Sequence, residues 1–386
     1  MGNKLMKDRL KIGATVGAAL ALAFLGGASG AQTPGDSKGN GQNPLDQNDN
    51  GPEAVTTYRG NSSDALVYNT AMDDYNHKNY KEAASGLKDY LKNNPKDAQA
   101  HRLMADIDVA QNNIAAAIPE WEAAVKLDKS DKSSAVNLGV AYMQTGSYDK
   151  AVDIYERAVA RSPKDPQLNM QLAIALDSAG KHAEAAAGFE RAAALDPKNS
   201  APALYAGLLN HQTGHDDKAV PELKNALALG TTEKFQAYAA LAEAASAAKQ
   251  NDEAIKDYTL AAQAKPDDFV TQYNLGVLEQ NAGEKTQAEA SYRKALTLKT
   301  DDVKAMAGVR SNLSLLLIDD GKLDEAASQL DQATKGDPKN AEYENNLGQV
   351  YEKLNKKDLA IAAYAKAVQL DPSLAGAKAS LTQLQK

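Results

Sequence analysis

No cysteine occurs in this sequence of 386 residues, and it contains only one tryptophan and four phenylalanines. The absence of cysteine excludes disulfide bonds, thiolate catalysis, cysteine-ligated metal sites and lipid attachment through an N-terminal cysteine. The sequence also lacks a glycine-rich phosphate loop and a Gly-x-Ser-x-Gly nucleophile elbow. Because no catalytic motif is present, we predict that the protein is not an enzyme and uses no cofactor.

Positive charge is in deficit, since 43 lysines and arginines stand against 51 aspartates and glutamates, for a formal net charge of −8. An acidic chain does not attract nucleic acid or anionic lipid, so neither is expected as the main partner. We predict protein or peptide partners instead, with no nucleic acid and no small-molecule substrate.

The first 31 residues have the layout of a secretory signal peptide. Four basic residues, Lys4, Lys7, Arg9 and Lys11, precede an uncharged stretch that ends in small residues at Ala31. We therefore predict export to the periplasm, the cell envelope or the extracellular space, with no membrane insertion after cleavage. The alternative is an uncleaved membrane anchor, because the apolar stretch just reaches spanning length.

Residues 32–62 are rich in Gly, Asn, Asp, Gln, Ser and Pro and have almost no large apolar side chain. Such a segment cannot bury enough surface to offset the entropy of ordering, so we predict a disordered linker.

The rest of the chain is periodic. One alanine recurs at intervals close to 34 residues, followed four residues later by a large apolar residue and, in all copies but the first, by a second alanine three residues after that. Spacings of four and three place these positions on one helical stripe, and another small residue lies twelve residues before each marker. The marker alanines are Ala83, Ala117, Ala151, Ala185, Ala219, Ala254, Ala288, Ala326 and Ala360.

Turn-forming and helix-capping residues follow the same period. Between the two apolar stripes lie Gly146, Gly180, Gly214, Gly283, Gly321, Asn112 and Asn355, which tolerate the left-handed conformation that ends a helix. Prolines follow most second stripes, and each of seven loops then ends in a candidate N-cap. These caps are Asp97, Asp131, Asp165, Asn199, Asp268, Asp302 and Asn340. The pattern predicts a repeat of helix, tight turn, helix and short loop.

This pattern resembles the tetratricopeptide repeat family. The third repeat matches it most fully, with Leu138, Gly139, Tyr142, Ala151, Tyr155, Ala158 and Pro163 at the signature places. The resemblance implies an all-α solenoid in which nine stacked helix-turn-helix repeats, residues 63–374, form a right-handed superhelix with a concave groove. Residues 375–386 have apolar residues at helical spacing and are predicted to form a capping helix. The 38-residue interval between Ala288 and Ala326 predicts a longer first helix in the eighth repeat, near residues 303–306.

A polar column lies two residues before the small residue of each first helix. It includes the candidate groove residues Asn69, Asn137, Gln171, Tyr205, Asn274, Asn312 and Asn346, with Leu103 and Ala240 completing it. The resemblance implies that first helices line the groove, where amides can hydrogen-bond the backbone of a peptide. The alternative interpretation is that asparagine belongs to the general repeat pattern and packs neighbouring helices.

No metal or catalytic site is predicted. The closest histidine pair, His211 and His215, is separated by Gly214 in a turn, so the two do not share a helical face. We predict a non-catalytic scaffold or adaptor that is exported to the cell envelope and binds peptides or helices in its groove. Two alternatives stay open: a self-associating structural component of an envelope assembly, and a factor in polysaccharide synthesis or export.

Overall fold

A computed structural model of the protein describes residues 63–386, so the predicted signal peptide and linker lie outside the described residues. In the described part, nineteen α-helices and no strands occur. The prediction of an all-α repeat fold is therefore confirmed. The chain divides into two compact units, and the boundary falls between Gly230 and Thr231.

The N-terminal unit, described over residues 63–230, contains ten helices. They are α1 (Ser63–Asn76), α2 (Tyr80–Asn93), α3 (Ala98–Ala110), α4 (Ile114–Leu127), α5 (Lys132–Gln144), α6 (Tyr148–Arg161), α7 (Pro166–Ser178), α8 (His182–Leu195), α9 (Ser200–Gln212) and α10 (Asp216–Ala228). Each odd-numbered helix packs on the next helix as a hairpin, and within this unit each of the first four hairpins packs on the one that follows it.

The C-terminal unit, residues 231–386, contains the other nine helices. They are α11 (Lys234–Ala247), α12 (Asn251–Ala264), α13 (Phe269–Asn281), α14 (Lys285–Thr297), α15 (Val303–Asp319), α16 (Leu323–Gly336), α17 (Ala341–Lys353), α18 (Lys357–Leu370) and α19 (Ala375–Leu384). The same packing order is seen here, and the final helix α19 packs on α18. No helix in residues 63–386 has the length and apolar character needed to cross a membrane.

The side chains at the starts of first helices act as predicted. All seven candidate caps accept hydrogen bonds from backbone N–H groups in the first turn of the helix that follows. Asp165, for example, accepts from the N–H groups of Gln167 and Leu168, both at 3.0 Å. These bonds satisfy donors that have no partner inside the helix, so they define where each first helix begins.

The tight turns between paired helices also form where predicted. All seven predicted glycines and asparagines have positive φ, between 57° and 82°. Two lysines that the pattern did not single out occupy the same kind of position, Lys78 at φ 62° and Lys249 at φ 60°. A side chain with a Cβ is strained in this conformation, which identifies these two turns as energetically unfavourable.

The core of each hairpin is built by close approach of its two helices. A Cβ added at Gly139 would lie 2.3 Å from Cζ of Tyr155, and one at Gly276 would lie 2.7 Å from the ring of Tyr292. The tyrosines themselves are almost completely buried. The predicted match of a small residue on one helix with a large residue on the other is therefore confirmed as a steric requirement.

The eighth repeat has a longer first helix, as predicted. Helix α15 has 17 residues, whereas the other first helices have 13 or 14. The extra turn begins at Val303 and approaches the end of α16, because a Cβ at Gly336 would lie 3.1 Å from Cβ of Ala307 and 3.4 Å from the Val303 carbonyl oxygen. The insertion is thus absorbed as helix and not as a loop.

Candidate functional site

The polar column of the first helices contacts the preceding hairpin in the C-terminal unit. The side-chain nitrogen of Asn274 donates to the hydroxyl of Tyr258 at 3.0 Å, and both side chains are buried. Asn312 forms the corresponding bond with the hydroxyl of Tyr292, which also donates to Oε1 of Gln280 at 2.7 Å. In α19, Ser380 bonds to the hydroxyl of Tyr364 in the same way.

In the N-terminal unit, two residues of this column, Tyr205 and Leu103, make apolar contacts instead. The ring of Tyr205 lies 5.6 Å from that of Phe189, measured between centroids. Leu103 and Leu87 share one hydrophobic cluster. In these four repeats, the column residue lies close to the large second-helix residue that is 16 or, across the longer interval, 20 positions before it. This supports the interpretation that Asn274 and Asn312 pack neighbouring helices, whereas a role of these amides in binding stays a prediction.

Gln171 on α7 is different. Its Oε1 atom is buried and has no hydrogen-bond partner among the described residues. A buried acceptor without a donor is costly, and a bound ligand can supply that donor. Asn69, Asn137 and Asn346 are half-buried first-helix residues that do not line the cleft next to Gln171.

That cleft, called here the polar cleft, lies at the N-terminal ends of α3, α5 and α7 and has a volume of about 370 Å³. Three successive first helices contribute equivalent residues, because Gln99, Ser133 and Gln167 are spaced by 34 residues. Gln171 is the one predicted groove residue that the structure places in the polar cleft. Other polar residues that line the polar cleft are Arg102, Asp128, Asp131 and Lys132.

Ion pairs and caps hold the walls of the polar cleft. Lys132 pairs with Asp165, which caps α7, and Nη1 of Arg102 lies 3.8 Å from Oδ1 of Asp131, which caps α5. The hydroxyl and N–H of Ser130 lower the pKa of the Asp128 carboxyl, with a smaller contribution from Arg102. Both signs of charge are therefore fixed before any ligand enters, so little ordering entropy opposes binding.

The polar cleft offers hydrogen-bond donors and acceptors of both charge signs, and the hydroxyl of Ser130 donates to Oδ1 of Asp128 at 2.6 Å. Such groups can hydrogen-bond peptide groups and polar side chains. Sequence reasoning missed Gln99, Ser133 and Gln167. Their signal in the sequence is that the second residue after the N-cap is polar in three consecutive repeats.

Two of the histidines pair with aspartates at hairpin turns. Nδ1 of His211 lies 2.6 Å from Oδ1 of Asp216, and Nδ1 of His182 lies 2.7 Å from Oδ1 of Asp177. As predicted, His211 and His215 lie on opposite sides of the turn that contains Gly214. Within residues 63–386, no group of three or more histidine, aspartate or glutamate side chains is arranged to hold a metal ion.

The repeated helix hairpins define the protein as an α-helical repeat protein. Two family models with the description tetratricopeptide repeat match the chain, one over residues 102–166 and 312–375 and the other over residues 235–268 and 271–302. The chain belongs to the tetratricopeptide repeat family.

Solved structures give partial likenesses. YrrB, described as a TPR protein with an unusual peptide-binding site, is 21% identical, with a TM-score of 0.46, over 51% of this chain and 99% of its own. The Naa15/Naa10 complex bound to HypK-THB is 16% identical, with a TM-score of 0.45, over 84% and 66%. MamA from Desulfovibrio magneticus RS-1 is 18% identical, with a TM-score of 0.38, over 44% and 96%. No curated protein matches the chain in sequence comparison.

Proposed function

We propose that the protein is a non-catalytic scaffold whose polar cleft binds an extended segment of a partner protein. The observation that carries this proposal is the buried Oε1 atom of Gln171, which has no hydrogen-bond partner among the described residues and lines a cleft with fixed walls. A backbone N–H of an extended peptide is a donor of the right kind. Family membership supports protein binding as the general role.

The proposal includes export to the cell envelope. It is supported by the basic and then apolar pattern of residues 1–31. N-terminal sequencing of the native protein tests it, with a mature chain that begins at Gln32 as the expected result. An intact N-terminus on a membrane-bound chain would support the anchor, and an intact N-terminus on a soluble cytoplasmic chain would contradict export.

Site-specific photocrosslinking in intact cells tests the polar cleft. A photoreactive amino acid replaces Ser133 in the cleft or, as the control, Glu342, which occupies the same repeat position at the start of α17. The expected result is a discrete adduct to another protein from position 133 that is absent from position 342. Identical adducts from both positions would contradict the cleft as a binding site.

The captured partner then defines a quantitative experiment. A synthetic peptide that covers the crosslinked segment is titrated by calorimetry into wild-type protein and into the Gln171→Leu variant. We expect binding to weaken about tenfold in Gln171→Leu, because one buried hydrogen bond to the ligand is lost. Unchanged affinity would contradict the role of Gln171, and an adduct to a second copy of this chain would favour the self-associating alternative.

A further inference from the structure

A second groove in the N-terminal unit has a different character. It lies between α4 and α6, against the end of α5, and has a volume of about 520 Å³. Five cationic side chains and two carboxylates line it, although the whole chain has a net charge of −8. The cations are Lys126, Lys129, Lys150, Arg157 and Arg161. We call this surface the basic groove.

The two carboxylates of the basic groove are already engaged. Glu122 accepts a hydrogen bond from the hydroxyl of Tyr142, and Asp153 lies 3.7 Å from Nε of Arg157. Lys150 lies over the Tyr142 ring, with Nζ 5.2 Å from its centroid. Among the described residues, no carboxylate lies within ion-pair distance of Lys126, Lys129, Lys150 or Arg161.

Elsewhere, cations pair with carboxylates of the neighbouring hairpin. In the C-terminal unit, Nζ of Lys285 lies 2.7 Å from Oδ2 of Asp319. In the N-terminal unit, Nζ of Lys218 lies 3.1 Å from Oε1 of Glu190. Such pairs reduce repulsion between stacked helices, whereas the basic groove gathers cations that repel one another. An anionic group from outside the chain would relieve this repulsion.

The floor of the basic groove is apolar. Val125, Leu138 and Ile154 line it and are buried, with 7%, 2% and 2% of their surface exposed, so the apolar area open to a ligand is small and suits at most one apolar side chain. A long polyanion would meet the negative field of the whole chain, whereas a short segment experiences mainly the local cations. A short acidic peptide with an apolar residue therefore fits the charge, the size and the floor.

We propose that the basic groove binds a short acidic peptide segment of a partner protein, with one apolar side chain seated on Val125, Leu138 and Ile154. This site is separate from the polar cleft, because none of the residues that line it also lines the cleft. The protein would then present two binding surfaces of different specificity on one array.

Fluorescence anisotropy with a labelled probe tests the proposal. The probe is a nine-residue peptide of glutamates with one central tryptophan, compared with the same peptide without tryptophan and with a lysine version. The variant Lys126→Glu/Arg161→Glu reverses two groove charges that lie in the last turns of α4 and α6. Its matched control is Lys294→Glu/Lys353→Glu, which reverses two charges in the last turns of α14 and α17.

We expect the acidic tryptophan probe to bind wild type and the control with similar affinity, and the groove variant at least tenfold more weakly. The peptide without tryptophan should bind more weakly than the probe, the lysine peptide should not bind, and the polar-cleft variant Gln171→Leu should bind the probe like wild type. Equal affinity of the groove variant and the control would overturn the proposal. Circular dichroism melts exclude unfolding as the cause of lost binding.

Two other anionic ligands are tested in the same competition format. Vesicles of phosphatidylglycerol and phosphatidylcholine represent a membrane surface, and a single-stranded oligonucleotide represents nucleic acid. If either binds through the groove cations while the acidic peptide does not, the peptide proposal is wrong. A negative result here does not contradict the proposal for the polar cleft, because the photocrosslinking experiment tests a different surface.

Discussion

The amide of Asn274 on α13 donates a hydrogen bond of 3.0 Å to the hydroxyl of Tyr258 on α12, and both residues are buried. The bond links the second helix of one hairpin to the first helix of the next. Burial raises the pKa of Tyr258 well above its usual value, so this hydroxyl stays neutral over the working range of pH.

Replacing Asn274 with leucine should destabilise the C-terminal unit by about 1–3 kcal/mol, because the Tyr258 hydroxyl is left buried without its donor. Urea unfolding followed by circular dichroism measures the change. The double variant Tyr258→Phe/Asn274→Leu should recover much of the loss. The control is Asn346→Leu, since the equivalent residue of the preceding hairpin is Leu330, which has no hydroxyl. Equal losses in Asn274→Leu and Asn346→Leu would contradict the structural role of the bond.

Gly139→Ala should destabilise the N-terminal unit by about 2–3 kcal/mol, because the new methyl group would overlap the Tyr155 ring. The matched control is Gly86→Ala on α2, where the new Cβ would lie 3.5 Å from Cβ of Ala71, an ordinary contact. That variant should gain about 0.5–1 kcal/mol from helix propensity. Thermal melts measure both, and a stable Gly139→Ala variant would refute the steric explanation of this glycine.

Lys249→Gly should stabilise the C-terminal unit by about 1 kcal/mol, because Lys249 has φ 60° and glycine adopts this conformation without strain. The reciprocal control is Gly283→Ala, at φ 81°, which should lose a similar amount. Chemical denaturation of both variants measures the effect. A loss of stability in Lys249→Gly would mean that the lysine side chain contributes more than the strain costs.

Asp165→Asn separates capping from charge. Burial raises the pKa of the Asp165 carboxyl, but the hydrogen bonds from Lys132 and from the N–H groups of Leu168 and Gln167 outweigh it and hold the pKa below its usual 3.8. The charged form therefore contributes stability above about pH 4, and the contribution is lost as the pH falls through the lowered pKa.

Asparagine keeps the cap, as Asn199 and Asn340 do in other repeats. Asp165→Asn should thus lose about 0.5 kcal/mol at pH 7, since the Lys132 ammonium is half exposed and screened. The difference from wild type should shrink and then vanish as the pH falls through the lowered pKa of Asp165 in urea titrations across pH. A difference that persists at low pH would show that the loss comes from capping and not from charge.

The extra turn of α15 is a feature that the repeat spacing of the sequence predicts correctly. Four inserted residues were visible as a 38-residue interval, and their placement near Val303 followed from the positions of the flanking small and large residues. Lys78 and Lys249 show its limit. Lysine has no intrinsic preference for positive φ, so its identity does not predict a left-handed turn. The packing of the two flanking helices imposes that conformation at Lys78 and Lys249.

The amino-acid sequence by itself determined the repeat length, the helix caps, most turns and the small-to-large match inside each hairpin. These features depend on contacts within one repeat, where sequence spacing translates directly into position on a helix. Tertiary structure decided that Asn274 is used by Tyr258, that Gln171 lies in a polar cleft and that unpaired cations gather between α4 and α6. These features depend on how successive hairpins rotate against each other, because that rotation decides which side chains from different repeats share a surface.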